Sequence, residues 1–162
     1  MKESLSFDEI WQILEEVKDP EIPVVSVVEM GLIRAVGKEC DKVIVTMTPT
    51  FIGCPALNVM RDEIEARLRA AGAEYVVVHT ILSPPWSTDW MTGEARQKLK
   101  NFGLSPPARH EGQLELILLE TATCPYCGSQ NTELKNSFGS TLCRAIFVCN
   151  GCRQPFEQFK PI

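Results

Sequence analysis

Polar and apolar positions alternate in two distinct rhythms along this chain. In "LSFDEIWQILEEV", Ile10, Ile13, Leu14 and Val17 recur at helical spacing, which predicts an amphipathic helix. Ser6 is placed to cap it with Glu9 reaching back, and Leu5 to staple onto Ile10. "KDPEIP" ends the helix, because residues preceding proline avoid the helical region. A long extended run is expected over Val24 to Val36, with Gly31 as a bulge or bend, then a turn at "GKECD". The β-branched run Lys42 to Thr48 completes a hairpin. "PALNVMRDEIEARLRAAG" predicts a second helix, with Pro55 in the first helical position, Leu57, Met60, Ile64 and Leu68 on one face, and Gly72 past its end. A third strand follows over Glu74 to Leu82, whose nearly continuous apolar run implies burial on both faces. After a loop, Thr92 and Gly103 bracket a short third helix.

The predicted order α-β-β-α-β-α describes a small mixed α/β (α+β) domain over residues 1–103. Residues 104–113, with two prolines, read as a linker, and "LELILLE" beyond it as a strand that could join either side. Residues 114–162 form the second module, and from Thr121 onward it is too short and Cys-rich to bury a core of its own.

The chain has 162 residues, 44% of them hydrophobic and 23% charged, which is ordinary globular composition. The amphipathic N-terminus is not expected to act as a signal peptide, and no apolar run is long enough to span a membrane. A cytoplasmic setting follows as an expectation, and there paired cysteines more often hold metal than form disulfides. Net charge is −5; the first 119 residues hold 12 basic and 18 acidic side chains, the remainder four and three. No basic stripe exists to neutralise phosphates, which disfavours nucleic acid as a partner.

Candidate chemistry is concentrated in the cysteines. Cys124 and Cys127 form one Cys-x2-Cys knuckle, Cys149 and Cys152 another. Their 21-residue separation is slightly longer than the usual zinc-ribbon range. Four thiolates suit a tetrahedral structural zinc, with iron in a rubredoxin-like site as the alternative. Cys143, between the knuckles, reads as a buried apolar thiol.

Cys54 has no such company. Immediately before Pro55, it would sit by the unpaired N–H groups and positive dipole end of the second helix, an environment that favours thiolate. A thiolate can attack an electrophile or hold a soft metal. One cysteine cannot cage a cluster, though one from each of two subunits could share it. A buried structural cysteine is the plainer alternative.

Asp19 and Glu21 flank Pro20, where a turn is the ordinary explanation. Trp86 and Trp90 read as packing aromatics, His79 as a core histidine in an apolar strand, and His110 as a solvated linker residue. The charges of "RDEIEARLR" read as a solvated helix face with Glu63–Arg67 and Glu65–Arg69 pairs.

Taken together, "DPEIPVVSVVEMGLIRAV", "TPTFIGCPA" and "PPWSTDWMT" resemble the SufT-like iron–sulfur assembly domain family. With the tail "CPYCGS…FGSTLCRAIFVCNGCRQPFEQFKPI" added, the whole chain resembles the PaaD-type proteins encoded with the bacterial phenylacetyl-CoA epoxidase. The resemblance implies an iron–sulfur-assembly-like domain followed by a zinc ribbon. It places the family's reactive cysteine on Cys54, its acidic motif on Asp19 and Glu21, and its Trp-containing loop on Trp86 to Asp89. It further implies a non-catalytic role in maturing the epoxidase, with a transient iron–sulfur cluster or iron at Cys54 as cargo. The oxygenase and iron–sulfur reductase components would be its clients, and a homodimer a possible form. Other functions open to the sequence are a stoichiometric structural subunit, a Cys54-dependent enzyme and a nucleic-acid-binding ribbon.

Overall fold

A computed structural model describes residues 5–113 and 122–162, so the strand expected in "LELILLE" lies outside the described residues. The chain forms two compact units, Met1–Trp86 and Ser87–Ile162.

In the first unit, α1 (Phe7–Glu16) begins with the expected capping box. The Glu9 N–H donates to Ser6 Oγ at 3.2 Å, and the Ser6 N–H donates to Glu9 Oε2 at 2.7 Å. Ile10, Leu14 and Val17 bury the apolar stripe. The expected long strand is shorter than its hydrophobicity suggests, because β1 covers only Ile33–Glu39. Residues 19–31 coil into turns instead, with Val27 N–H bonded to Val17 O and Met30 N–H to Ser26 O. Their apolar side chains are buried as a packed loop, since Ile22, Val25, Val27 and Met30 are all core residues.

β1 pairs antiparallel with β2 (Lys42–Met47) through a hairpin, with a register shift between Ile33 and Ala35. From β2 the chain crosses through α2 (Ala56–Ala70) to β3 (Tyr75–Thr80), which lies parallel to β2. A parallel neighbour requires such a crossover, and the helix supplies it. α2 ends in a doubly bonded reversal, Gly72 N–H to Arg69 O and Ala73 N–H to Leu68 O. Gly72 adopts φ +115°, a conformation in which a Cβ would be strained. The sheet order is β1-β2-β3, so among the described strands β3 has one neighbour. Contrary to the expectation of two-sided burial, only Val76 of β3 is buried and His79 is exposed. Apolar β-branched residues here reflect strand propensity rather than double burial. The two Glu–Arg pairs form along α2 as expected, at 2.8 and 2.7 Å.

The second unit opens with a 3₁₀ turn (Thr88–Trp90) and α3 (Gly93–Asn101), which Thr92 caps through Ala95 N–H. A four-stranded sheet follows in the order β4-β7-β6-β5: β4 (Leu104–Ser105), β5 (Thr132–Asn136), β6 (Arg144–Cys149) and β7 (Pro155–Phe159). β5, β6 and β7 are antiparallel neighbours, while β4 joins β7 in parallel. The small core is Ala122, Cys124, Ala145, Phe147, Cys149 and Phe156, with Phe147 and Phe156 stacked at 5.7 Å. The segment 104–113 is more structured than a linker. Leu104 and Ser105 take part in the sheet, and His110 is buried at 7% exposure.

Candidate functional site

The β2–α2–β3 crossover places the N-terminus of α2 at the C-terminal end of the parallel pair, where open α/β sheets commonly bind ligands. Three segments meet at this end. Thr48 N–H donates to Leu32 O and Ile81 N–H to Met47 O, both at 2.9 Å. The Thr48–Pro55 loop thus starts beside the segment entering β1 and the segment leaving β3.

Cys54 lies in that loop, half-buried. Its N–H donates to Phe51 O at 3.3 Å, and its carbonyl accepts from Leu57 N–H at 3.1 Å. Pro55 has helical dihedrals (φ −65°, ψ −27°) but serves as the N-cap, so α2 starts one residue later than the sequence suggests. No side-chain cap hydrogen bond forms at Pro55, and Cys54, expected at the cap itself, lies one residue before it, where its carbonyl rather than its thiol meets a helix N–H. Thr48 Oγ1, at the loop's beginning, is fully buried and has no hydrogen-bond partner among the described residues.

Asp19, 8% exposed, takes the turn-forming role that Asp-Pro suggests. Its Oδ1 accepts from Glu21 N–H at 2.7 Å and Ile22 N–H at 3.1 Å, while its own N–H bonds to Val25 O. Glu21 is half-buried on the same turn. A run of backbone bonds, Val27 to Val17, Leu32 to Val27 and Thr48 to Leu32, connects the end of α1 through the 26–31 turn to the start of the Cys54 loop. The Trp86 indole N–H donates to Met30 O at 2.9 Å, so its packing role includes pinning the 26–31 turn.

In the second unit the knuckles come together. The Sγ atoms of Cys124, Cys127, Cys149 and Cys152 all lie within 4.8 Å of one another. Cys124–Cys152 is 3.7 Å and Cys127–Cys149 is 3.5 Å. Zinc–sulfur bonds of about 2.3 Å in a tetrahedron imply sulfur–sulfur edges of about 3.8 Å, close to these two separations, so the donor set suits a tetrahedral zinc. The Cys152 N–H points at Cys149 Sγ and, against burial, pulls that thiol down to about 6. Cys152 moves oppositely, to about 12. The Gln154 N–H would lower it, but burial and the three neighbouring thiols raise it further. Four thiolates this close repel one another, and a divalent cation among them would offset that repulsion. Cys143 is buried, as expected, with Thr141 Oγ1 at 3.0 Å from its sulfur.

A second constellation was not legible in sequence. His110 Nε2 lies 3.0 Å from Ser87 Oγ and 2.8 Å from Ile162 O, and its Nδ1 lies 3.5 Å from Asp89 Oδ2. These distances suggest a nucleophile–base array, yet the partners exclude it. Gly112 N–H donates to Nδ1 at 3.0 Å, and the Ile162 carbonyl can only accept, which puts the ring proton on Nε2. No lone pair is left to take a proton from Ser87. Asp89 accepts from the His110 N–H at 3.0 Å and the Glu111 N–H at 2.7 Å. Burial alone would raise its carboxyl, but these N–H groups, with the Arg96 guanidinium nearby, hold it below the usual range. His79 and His110 thus exchange the roles read from sequence, because neighbours 23 to 52 residues away decide the burial of His110.

Comparison with known proteins matches both halves. The family description "Iron-sulfur cluster assembly protein" matches residues 8–79, which include Asp19, Glu21 and Cys54. "PaaD zinc beta ribbon domain" matches residues 114–160, which include all four clustered cysteines. A putative 1,2-phenylacetyl-CoA epoxidase subunit of Escherichia coli is 40% identical over 95% of this chain and 92% of its own. The Fe-S protein maturation auxiliary factor YitW of Bacillus subtilis is 35% identical over 59% of this chain and 94% of its own. The crystal structure of a domain of unknown function, DUF59, from Bacillus anthracis superposes with a TM-score of 0.52 at 30% identity, covering 57% of this chain and 89% of that one. The chain belongs to the PaaD-type family of phenylacetyl-CoA epoxidase proteins, in which an iron–sulfur cluster assembly domain is joined to a zinc ribbon.

Proposed function

We propose that this protein is an accessory maturation factor for a multicomponent phenylacetyl-CoA epoxidase, passing an iron–sulfur cluster or iron through Cys54. The observation that carries the reading is the position of Cys54. It is a half-buried thiol at the mouth of α2, within the residues that match the iron–sulfur assembly family. The names of the relatives support the two parts of the proposal, an epoxidase and Fe-S protein maturation. Asp19 fixes the turn and Glu21 orients the thiol or the incoming metal. Two Cys54 thiolates across a homodimer would complete more of a cluster's ligand set than one. The ribbon, with zinc at Cys124, Cys127, Cys149 and Cys152, keeps its metal and serves as scaffold or client dock to the oxygenase or reductase component. The cargo is thus chemically separate from the resident zinc.

Anaerobic loading with iron and sulfide tests this reading. Native protein develops visible absorbance and transfers cargo to an apo epoxidase component, whereas Cys54→Ser does neither while retaining its zinc. Absorbance independent of Cys54 overturns the proposal.

One observation favours a second reading. The Escherichia coli relative is named as part of an epoxidase and aligns over nearly the whole chain, so this protein could instead be a stoichiometric structural component. Fixed-ratio co-purification with the epoxidase, and epoxidase activity indifferent to Cys54→Ser, distinguish that case.

A further inference from the structure

The residues that precede the ribbon in sequence are bound to its far end in space. Ile162 O accepts from Thr88 N–H at 2.9 Å, Thr88 Oγ1 at 3.2 Å and His110 Nε2 at 2.8 Å. Ile162 N–H in turn lies 3.2 Å from Thr88 Oγ1. Thr88 is fully buried and His110 nearly so. Behind this contact, Arg96 reaches Thr88 O at 2.6 Å and also bonds Pro107 O, while Asp89 gathers the N–H groups of His110 and Glu111. The 87–112 segment is therefore organised around the last residue of the tail.

That tail is a direct continuation of the metal knuckle. Cys149 N–H bonds to Gln154 O, β7 begins at the next residue, and its register with β6 runs to Phe159 opposite Arg144. Lys160 N–H then bonds to Cys143 O, leaving two residues to reach Thr88. Two further bonds tie the same segment to the ribbon. β4 pairs with Glu157 and Gln158 of β7, and Ser105 Oγ donates to the carbonyl of Thr123, the neighbour of Cys124, at 2.8 Å.

We infer that residues 160–162 are a strap through which the metal-bound ribbon holds the Ser87–Gly112 segment, making 87–162 the metal-dependent folding unit. Among the described residues, the apolar cluster around the knuckles is small and includes two of the four thiols themselves, Cys124 and Cys149, so its packing depends on how those thiols are held. Once the knuckles loosen, β7 loses its anchor, and the strap, Thr88 and His110 follow. Four buried or half-buried polar groups would then lose partners together, so the release is cooperative rather than gradual. Ser87, Thr88 and Asp89 belong to the Trp-containing loop, so that loop's order becomes a readout of ribbon metal. The inference rests on the four-thiolate site and is separable from the cargo role of Cys54.

Amide hydrogen exchange on the full chain tests it, comparing zinc-loaded protein with protein treated with a chelator. The amides of Thr88, His110, Glu111 and Gly112 are expected to lose protection by about tenfold or more, in step with Cys149 and Arg153, while α2 amides do not change. Persistence of protection at 88 and 110–112 after the knuckle amides have opened overturns the inference. Deleting Pro161 and Ile162 supplies the reciprocal arm. Linkage requires that if zinc tightens the strap, losing the strap weakens zinc, here by a factor of about five or more in a chelator competition. Equal zinc affinity in the deleted and full-length chains also overturns it, and the Cys54 loading assay is unaffected by either outcome.

Discussion

Single residues in this molecule are often constrained by what would collide with them or go unpaired. A Cβ built at Gly139 would lie 2.7 Å from Glu157 Oε1 and 2.9 Å from Arg144 Cβ. Glu157 cannot easily move, since it accepts from Ser140 N–H at 2.6 Å and Arg144 Nη1 at 3.0 Å. Gly139→Ala is therefore expected to destabilise the ribbon by about 1–3 kcal/mol, read as a lower zinc-loaded melting temperature of that unit. The second case is Trp86, whose indole N–H satisfies the carbonyl of buried Met30. Trp86→Phe keeps a ring but orphans that carbonyl, at a cost of about 1–3 kcal/mol in denaturant unfolding. Retained stability in Trp86→Phe would show that water replaces the indole.

At the scale of elements, the parts most legible in sequence were those governed by neighbours three or four residues away. α1 with its capping box, α2 with its Glu–Arg pairs and glycine stop, and the β1–β2 hairpin all depend on local periodicity and turn chemistry. The four-cysteine cluster was legible for a related reason, because ligand spacing within each knuckle is local even though the knuckles are 21 residues apart. What failed was burial decided at long range. Residues 24–31 are as apolar as a strand, yet Asp19, Ser26 and the Trp86 indole fold them into turns. The 104–113 segment is as polar as a linker, yet β7 and Ile162 recruit it. A local prediction tests the local half of this view. Ser6→Ala removes the acceptor for Glu9 N–H and should cost about 1 kcal/mol of stability, with the loss of helical signal confined to the first turn of α1. Hydrogen exchange spreading beyond that turn would mean that α1 depends on its cap more than on burial of Ile10 and Leu14.

Across the whole molecule, the two units should respond differently to acid. In Ser87–Ile162, Asp89 and Glu157 both have carboxyl groups held below the usual range. For Glu157, burial opposes the shift, while the Ser140 N–H and the Arg144 guanidinium outweigh it. A carboxylate with a depressed native value contributes stability that is present above its unfolded value and is lost as pH falls through the native one. The four thiols add a further proton sensitivity of the same sign, since protons compete with zinc for every sulfur that must ionise. Lowering pH should therefore release zinc first, more steeply than one-proton competition allows, and then erode the Asp89 and Glu157 clusters at pH values below the ordinary carboxylate range. The first unit contains no four-thiol cluster among its described residues, so its unfolding should lag. Zinc release followed with a chromophoric chelator, alongside hydrogen exchange in α2 and in β6, measures both events in one titration. If α2 opens together with β6 as zinc leaves, the two units do not unfold independently. The zinc would then support the Cys54 domain as well as the ribbon.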